Sequence, residues 1–146
     1  MKRILMAGLA LLSVQGRAVA QPPADRIVGT WQTEANDSRI TISRAGNQYV
    51  GKLLWGNRVV EADGKTFRKD TQNPDVSLRS RSLQGITLVS GLVYDGSRWH
   101  DGRIYDPPSG RTYNCRIDMK NGKLHMRGYL GVPMLGQTVV WKRVIE

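Results

Sequence analysis

Side chains able to act as acid, base, nucleophile or metal ligand are few in this 146-residue chain. It holds two histidines, His100 and His125, and a single cysteine, Cys115. A zinc site needs three or four ligands brought together, commonly as closely spaced pairs. Neither histidine has a second histidine or a carboxylate at such a spacing, so no metal site is expected. His100-Asp101 together with Ser97 and Ser109 supplies the residue types of a hydrolytic set. Neither serine, however, stands in a Gly-x-Ser-x-Gly elbow or another nucleophile context. Phosphate loops and dinucleotide glycine patterns are absent as well. No enzyme activity and no cofactor are expected. An unrecognised hydrolase and a haem or metal carrier using His100 or His125 stay as rival readings.

Residues suited to binding are more plentiful. Trp55, Tyr105 and Tyr113 could form aromatic walls, and Arg79, Arg81 or Arg103 could anchor an anion. The plainer alternative makes the aromatics ordinary core and the arginines solvated surface. Cys115 stands alone and cannot form an internal disulfide. It alternates with polar neighbours on the apolar side of Tyr113, Cys115, Ile117 and Met119, which predicts a buried, inert thiol.

These residues must be placed by strands. The chain alternates apolar and polar residues over nine short runs: 27–34, 39–44, 48–55, 58–61, 86–94, 98–105, 111–119, 123–130 and 137–144. Turn formers separate them, among them Ala45-Gly46-Asn47, Asp95-Gly96, the Asp106 to Gly110 segment and Asn121-Gly122. Eight or nine consecutive antiparallel strands in one short domain predict an all-β, up-and-down closed barrel of about eight strands. In the run 123–130, Leu124, Met126, Gly128 and Leu130 would face inward, while Gly51, Gly102 and Gly128 would thin or bend the wall. The stretch 65–84 breaks the pattern. Asn73-Pro74-Asp75 there reads as a helix start, predicting one short helix over 74–80 with Asn73 as N-cap, in a loop made basic by Arg68, Lys69, Arg79 and Arg81. Such a loop is either an inert strap over one barrel end or a source of cations for a ligand at the mouth.

The chain carries 22 Lys plus Arg against 12 Asp plus Glu, a net charge of +10. Its first twenty residues have the order of a secretory signal: Lys2 and Arg3, an apolar run from Ile4 to Val14, and a small-x-small site at Ala18-Val19-Ala20. The run is too short to span a membrane, which takes about 20 apolar residues. Residues 1–20 are therefore read as a signal peptide and 21–146 as one barrel domain, periplasmic or secreted. Losing Lys2, Arg3 and Arg17 leaves 19 basic against 12 acidic residues, so the positive charge belongs to the domain itself. The basic residues are scattered and no nucleic-acid motif accompanies them, so nucleic acid is not the expected partner.

Gly29-Thr30-Trp31 resembles the Gly-x-Trp of lipocalins, and Arg143 could take the place of the arginine that stacks over that tryptophan. A longer string covers nearly all of 21–146: Tyr49-x-Gly51-Lys52, Asp70-x-x-Asn73-Pro74-Asp75, Gly102-x-Ile104-Tyr105-Asp106-Pro107, Ser109-Gly110-x-Thr112-Tyr113, Arg127-Gly128-Tyr129-x-Gly131 and Trp141-x-Arg143. In order and spacing these resemble the exported bacterial proteins of domain of unknown function family 2147. The resemblance implies a lipocalin-like exported barrel and supplies no established activity or catalytic residues.

The expected function is binding of a small, partly apolar and anionic molecule in the barrel mouth. The alternative is a filled barrel acting through its basic surface on anionic envelope components. The signal reading has a direct check. The exported protein is expected to begin at Gln21, and N-terminal sequencing that finds Met1 intact on membrane-bound protein overturns it.

Overall fold

The computed structural model describes residues 10–13, 16 and 22–145. The cleavage site at Ala18-Val19-Ala20 and the charged start lie outside the described residues. Eight strands follow one another: β1 Gly29–Thr33, β2 Ser38–Ala45, β3 Gln48–Gly56, β4 Thr87–Tyr94, β5 Trp99–Asp106, β6 Arg111–Lys120, β7 Lys123–Tyr129 and β8 Gln137–Arg143. Each pairs antiparallel with the next, and β8 returns to β1, so the sheet closes into a barrel. The closing pair registers Trp31 with Arg143, Gln32 with Lys142 and Thr33 with Trp141. Among the described residues, no helix is long and apolar enough to cross a membrane.

Alternation explains the strands. In β6 and β7 the positions Cys115, Ile117, Leu124 and Met126 are buried, while the residues between them face outward. Asn121 and Gly122 both have positive φ, as a two-residue hairpin requires.

Three details differ from the sequence expectation. The run 58–61 forms only an isolated bridge, Val60 to Phe67. Its adjacent Val59 and Val60 are both buried, unlike the inside–outside alternation of the barrel strands. Ile27 ends a 3-10 turn, Pro23–Ile27, instead of opening β1. The helix expected over 74–80 is a single 3-10 turn, Val76–Leu78, capped by Asp75. Asn73 cannot serve as that cap, because its side chain donates to Asp70 Oδ2 at 2.8 Å and accepts from the Asp75 N–H at 2.9 Å.

The chain order gives the barrel a closed and an open end. At the closed end the 3-10 turn preceding β1 lies across the bottom. Trp31 Nε1 donates to the Ile27 carbonyl at 2.8 Å, Trp99 Nε1 to the Ala24 carbonyl at 3.0 Å, and Tyr49 to Asp25. Burial and the Asp25 carboxylate push the Tyr49 hydroxyl up to about 12. Trp31, Tyr49, Trp99, Ile40, Ile42 and Leu92 fill this half.

Arg143 seals it, with its guanidinium carbon 4.3 Å from the Trp31 ring centroid and Nη1 donating to the Val28 carbonyl at 2.9 Å. Gly29 makes room: its φ is +138°, and a Cβ there would stand 2.6 Å from Arg143 Nη1. Glycine is thus demanded twice at one position.

This contact is directly measurable. Arg143→Ala is expected to cost about 1–2 kcal/mol in lost cation–π attraction and stem packing, and Trp31→Ala about 3–5 kcal/mol as a large-to-small core change. A urea double-mutant cycle should return a coupling of about 0.5–3 kcal/mol. Additive effects would make Arg143 a surface residue with no part in closure.

Candidate functional site

The turns and loops 34–37, 57–86, 107–110 and 130–136 cluster at the opposite end, and the barrel is hollow there. A cavity of about 820 Å³ opens between them. That volume falls within the range of small-molecule sites, roughly 300–1,000 Å³. Its wall is made by Leu53, Ile104, Tyr113, Met126, Val139 and Trp141, and its rim carries Asp37, Arg58 and Asp106.

Large side chains such as Tyr113, Met126 and Trp141 form the wall of the cavity without filling it. A Cβ at Gly128 would meet Ile104 and Tyr113 at 3.8 Å and the Asn114 carbonyl at 4.0 Å, all ordinary contact distances, so a side chain can be accommodated at this point of the cavity wall. Gly51 and Gly102 do not open the barrel. A Cβ would press on Val89 at 3.2 Å at the first and on Leu92 at 2.5 Å at the second, so both glycines let a large neighbour pack against the backbone.

Trp141 has a further property. It is 6% exposed, it lines the cavity, and its Nε1 is buried without a hydrogen-bond partner among the described residues. An unmade bond at a buried donor costs about 1–3 kcal/mol, a local cost that the packing of the indole ring against the barrel core offsets.

Of the six side chains expected to bind, Tyr105 and Tyr113 line the cavity. Trp55, Arg79, Arg81 and Arg103 are engaged elsewhere. Trp55 Nε1 donates to the Gly64 carbonyl at 3.0 Å. Arg79 Nε donates to the Asn73 carbonyl at 2.8 Å, and Arg103 Nη1 reaches Asn114 Oδ1 at 3.3 Å on the outside.

Arg81 has the most definite role. Asp70 is 1% exposed and receives Arg81 Nε at 2.9 Å, Asn73 Nδ2 at 2.8 Å and the Tyr105 hydroxyl at 2.5 Å. A buried carboxylate requires such compensation, so the cation in the strap is spent on its own acid. Burial first, then the bond to Asp70, holds the Tyr105 hydroxyl well above its ordinary range. The node ties the strap to β5, while Leu53, Val59, Leu83 and Ile86 pack beneath it.

The residues of the imagined hydrolytic set are scattered. Ser97 donates to Asp95 Oδ1 in the turn at the closed end, and Ser109 donates to Asp106 Oδ2 at the open end. His100 lies near Asp95 and Asp101, at 3.5 and 3.0 Å, and His125 sits on the outer wall opposite Asp118. Among the described residues no three His, Cys, Asp or Glu side chains are grouped to hold a metal ion. Cys115 is fully buried, and desolvation alone pushes its thiol up to about 12.

Trp141, Val139 and Ile104 were absent from the expected site. The inward alternation of β8, Gln137-Val139-Trp141, was the available signal, but the same pattern describes ordinary core.

Residues 29–143 match the family described as "Uncharacterized protein conserved in bacteria (DUF2147)". No curated protein matches the chain. Among solved structures, protein HP1028 from the human pathogen Helicobacter pylori, described as belonging to the lipocalin family, is 25% identical. It superposes with a TM-score of 0.69 over 82% of this chain and 84% of its own. A mutant of the fluorescent protein UnaG is 16% identical, with a TM-score of 0.46 over 84% of this chain and 99% of its own.

The Asp70 node predicts a contrast between two substitutions. Tyr105→Phe is expected to lower stability by about 1–3 kcal/mol by leaving a buried carboxylate oxygen short of a donor. Arg103→Ala should stay within about 0.5 kcal/mol as a surface change. Urea unfolding reads both, and equal effects would remove Asp70 as the strap's anchor.

Proposed function

The chain belongs to the bacterial DUF2147 family and its barrel is lipocalin-like; on that premise we propose that it is an exported protein binding one small, largely apolar molecule in the open half. The carrying observation is the cavity of about 820 Å³, apolar along its wall. An apolar body fills the space between Leu53, Ile104, Met126 and Val139. For an anionic group on the ligand, the cationic side chain among the lining residues is Arg58, which shares the rim with Asp37 and Asp106, so burial of apolar surface is the main source of affinity in this reading. An open cavity supports this reading over the filled-barrel alternative. The signal-like pattern of residues 1–20 supports export.

The test joins native mass spectrometry with a blocked cavity. Protein purified from its own host should carry a co-purifying mass and, once stripped, should bind the apolar fluorophore 1-anilinonaphthalene-8-sulfonate. Gly128→Phe fills the cavity at a position where a Cβ has room, and should weaken fluorophore binding about tenfold or more while the barrel stays folded. Binding unchanged by Gly128→Phe, with no co-purifying mass, overturns the proposal.

A further inference from the structure

The outer wall of the barrel carries a second concave region of about 580 Å³, across β6, β7 and β8. It is lined by Arg116, Lys120, His125 and Arg127, with Asp118 as the acidic side chain among its lining residues. That acid is already paired, since Arg98 Nε lies 3.0 Å from its Oδ1. Arg116 and Arg127 stand directly opposite each other across the β6–β7 pair. Like charges so placed repel unless an anion lies between them. Arg116 Nε is buried and has no hydrogen-bond partner among the described residues.

The same wall runs into the β7–β8 loop. Arg127 Nε donates to the Pro133 carbonyl at 2.5 Å and Nη2 to the Met134 carbonyl at 3.3 Å, so the loop is held against the cationic wall by one of its own arginines. The loop holds out large apolar side chains: Leu130 is 55% exposed, Val132 53%, Met134 87% and Leu135 80%. Leu130 and Leu135 also rim the cavity, while Met134 lines the outer concavity.

From this juxtaposition we propose that the β7–β8 loop and the cationic wall beside it dock the protein onto an anionic lipid surface, with the β6–β8 side of the barrel laid against the bilayer. Charge complementarity selects the occupant. Short apolar side chains beside a cluster of cations match the boundary between acyl chains and anionic headgroups, which needs no shaped partner. Met134 and Leu135 enter the apolar boundary, and Arg116 and Lys120 along the same wall meet headgroup phosphates. Docking itself does not depend on the ligand-binding reading.

The test is co-sedimentation of full-length mature protein with vesicles at low and physiological salt. Vesicles of equal parts phosphatidylglycerol and phosphatidylcholine should bind the protein about tenfold more tightly than pure phosphatidylcholine, with the difference shrinking as salt rises. The double variant Met134→Ser with Leu135→Ser, and separately Arg116→Gln with Lys120→Gln, should each lower binding to the anionic vesicles about fivefold or more. Lys52→Gln with Lys65→Gln, exposed cations off this wall, should change it less than twofold. Free glycerol phosphate at millimolar concentration should not compete; competition would mean that the wall takes a soluble phosphate ester and would overturn docking. No binding to anionic vesicles, or equal losses in the Lys52 and Lys65 control, also overturns the proposal. Gly128→Phe should dock normally, so failure of docking and failure of ligand binding are read apart.

Discussion

Closure of the sheet on itself is the constraint on which the rest of this structure depends. An open eight-stranded sheet would leave two edges of unpaired backbone and no inside. Here the closing strand pair is short, registered at Trp31, Gln32 and Thr33 and extended at its two ends by the Glu34 N–H to the Val140 carbonyl at 3.0 Å and the Val144 N–H to the Thr30 carbonyl at 2.9 Å. The Arg143 guanidinium over Trp31 reinforces this seam by tying the last strand to the first and both to the turn beneath them. Because this lock lies at one end, large side chains fill that end and the barrel is free to stay hollow at the other.

The long connection from β3 to β4 raises a different physical problem. Thirty residues without a regular strand or α-helix must be ordered against a barrel wall. A small apolar cluster under the strap supplies part of the ordering, and the buried Asp70 supplies its direction. Breaking a buried ion pair leaves an uncompensated charge, so the strap has one arrangement in which Asp70, Arg81, Asn73 and Tyr105 are all satisfied. Gly110 belongs to the same fit: a Cβ there would run into the Gln72 carbonyl, so strap and β5–β6 turn touch backbone to backbone.

The cavity and the outer wall share one loop. The segment after Tyr129 must leave the barrel, round the mouth and return as β8, and Gly136 allows it to pass close to the Gly128 carbonyl. Arg127 fixes the loop from outside, Leu130 and Leu135 border the cavity from inside, and Met134 points away from both strands' core. A single short connection therefore sets the shape of the mouth and the apolarity of the surface around it.

Fold was largely legible in the residues. Alternation with period two, punctuated by turn formers, marks each of the eight strands, because burial on one face of a strand writes itself directly into sequence. The Trp31 and Arg143 pair was legible through the resemblance of Gly29-Thr30-Trp31 and Arg143 to the Gly-x-Trp and stacking arginine of lipocalins. The run 58–61 misled because a short apolar segment buried as a plug has the composition of a strand but not its two faces. The site was less legible. Tyr105 and Tyr113 were visible as aromatic candidates, whereas Arg79, Arg81 and Arg103 were indistinguishable from ligand anchors until their partners were known. Asp70 and Arg81 lie eleven positions apart, and only the path of the strap brings them together. Whether an inward glycine can give way to a side chain depends on its neighbours: Leu92 crowds the position at Gly102, whereas Ile104 and Tyr113 stand at ordinary contact distance from Gly128. The sequence by itself determined the strands and their order, because these follow from local periodicity and chain connectivity, and its resemblance to lipocalins pointed to the lock at one end. Tertiary structure alone decided which charges are spent internally and where the barrel is empty, because both are set by residues distant in the chain competing for the same volume.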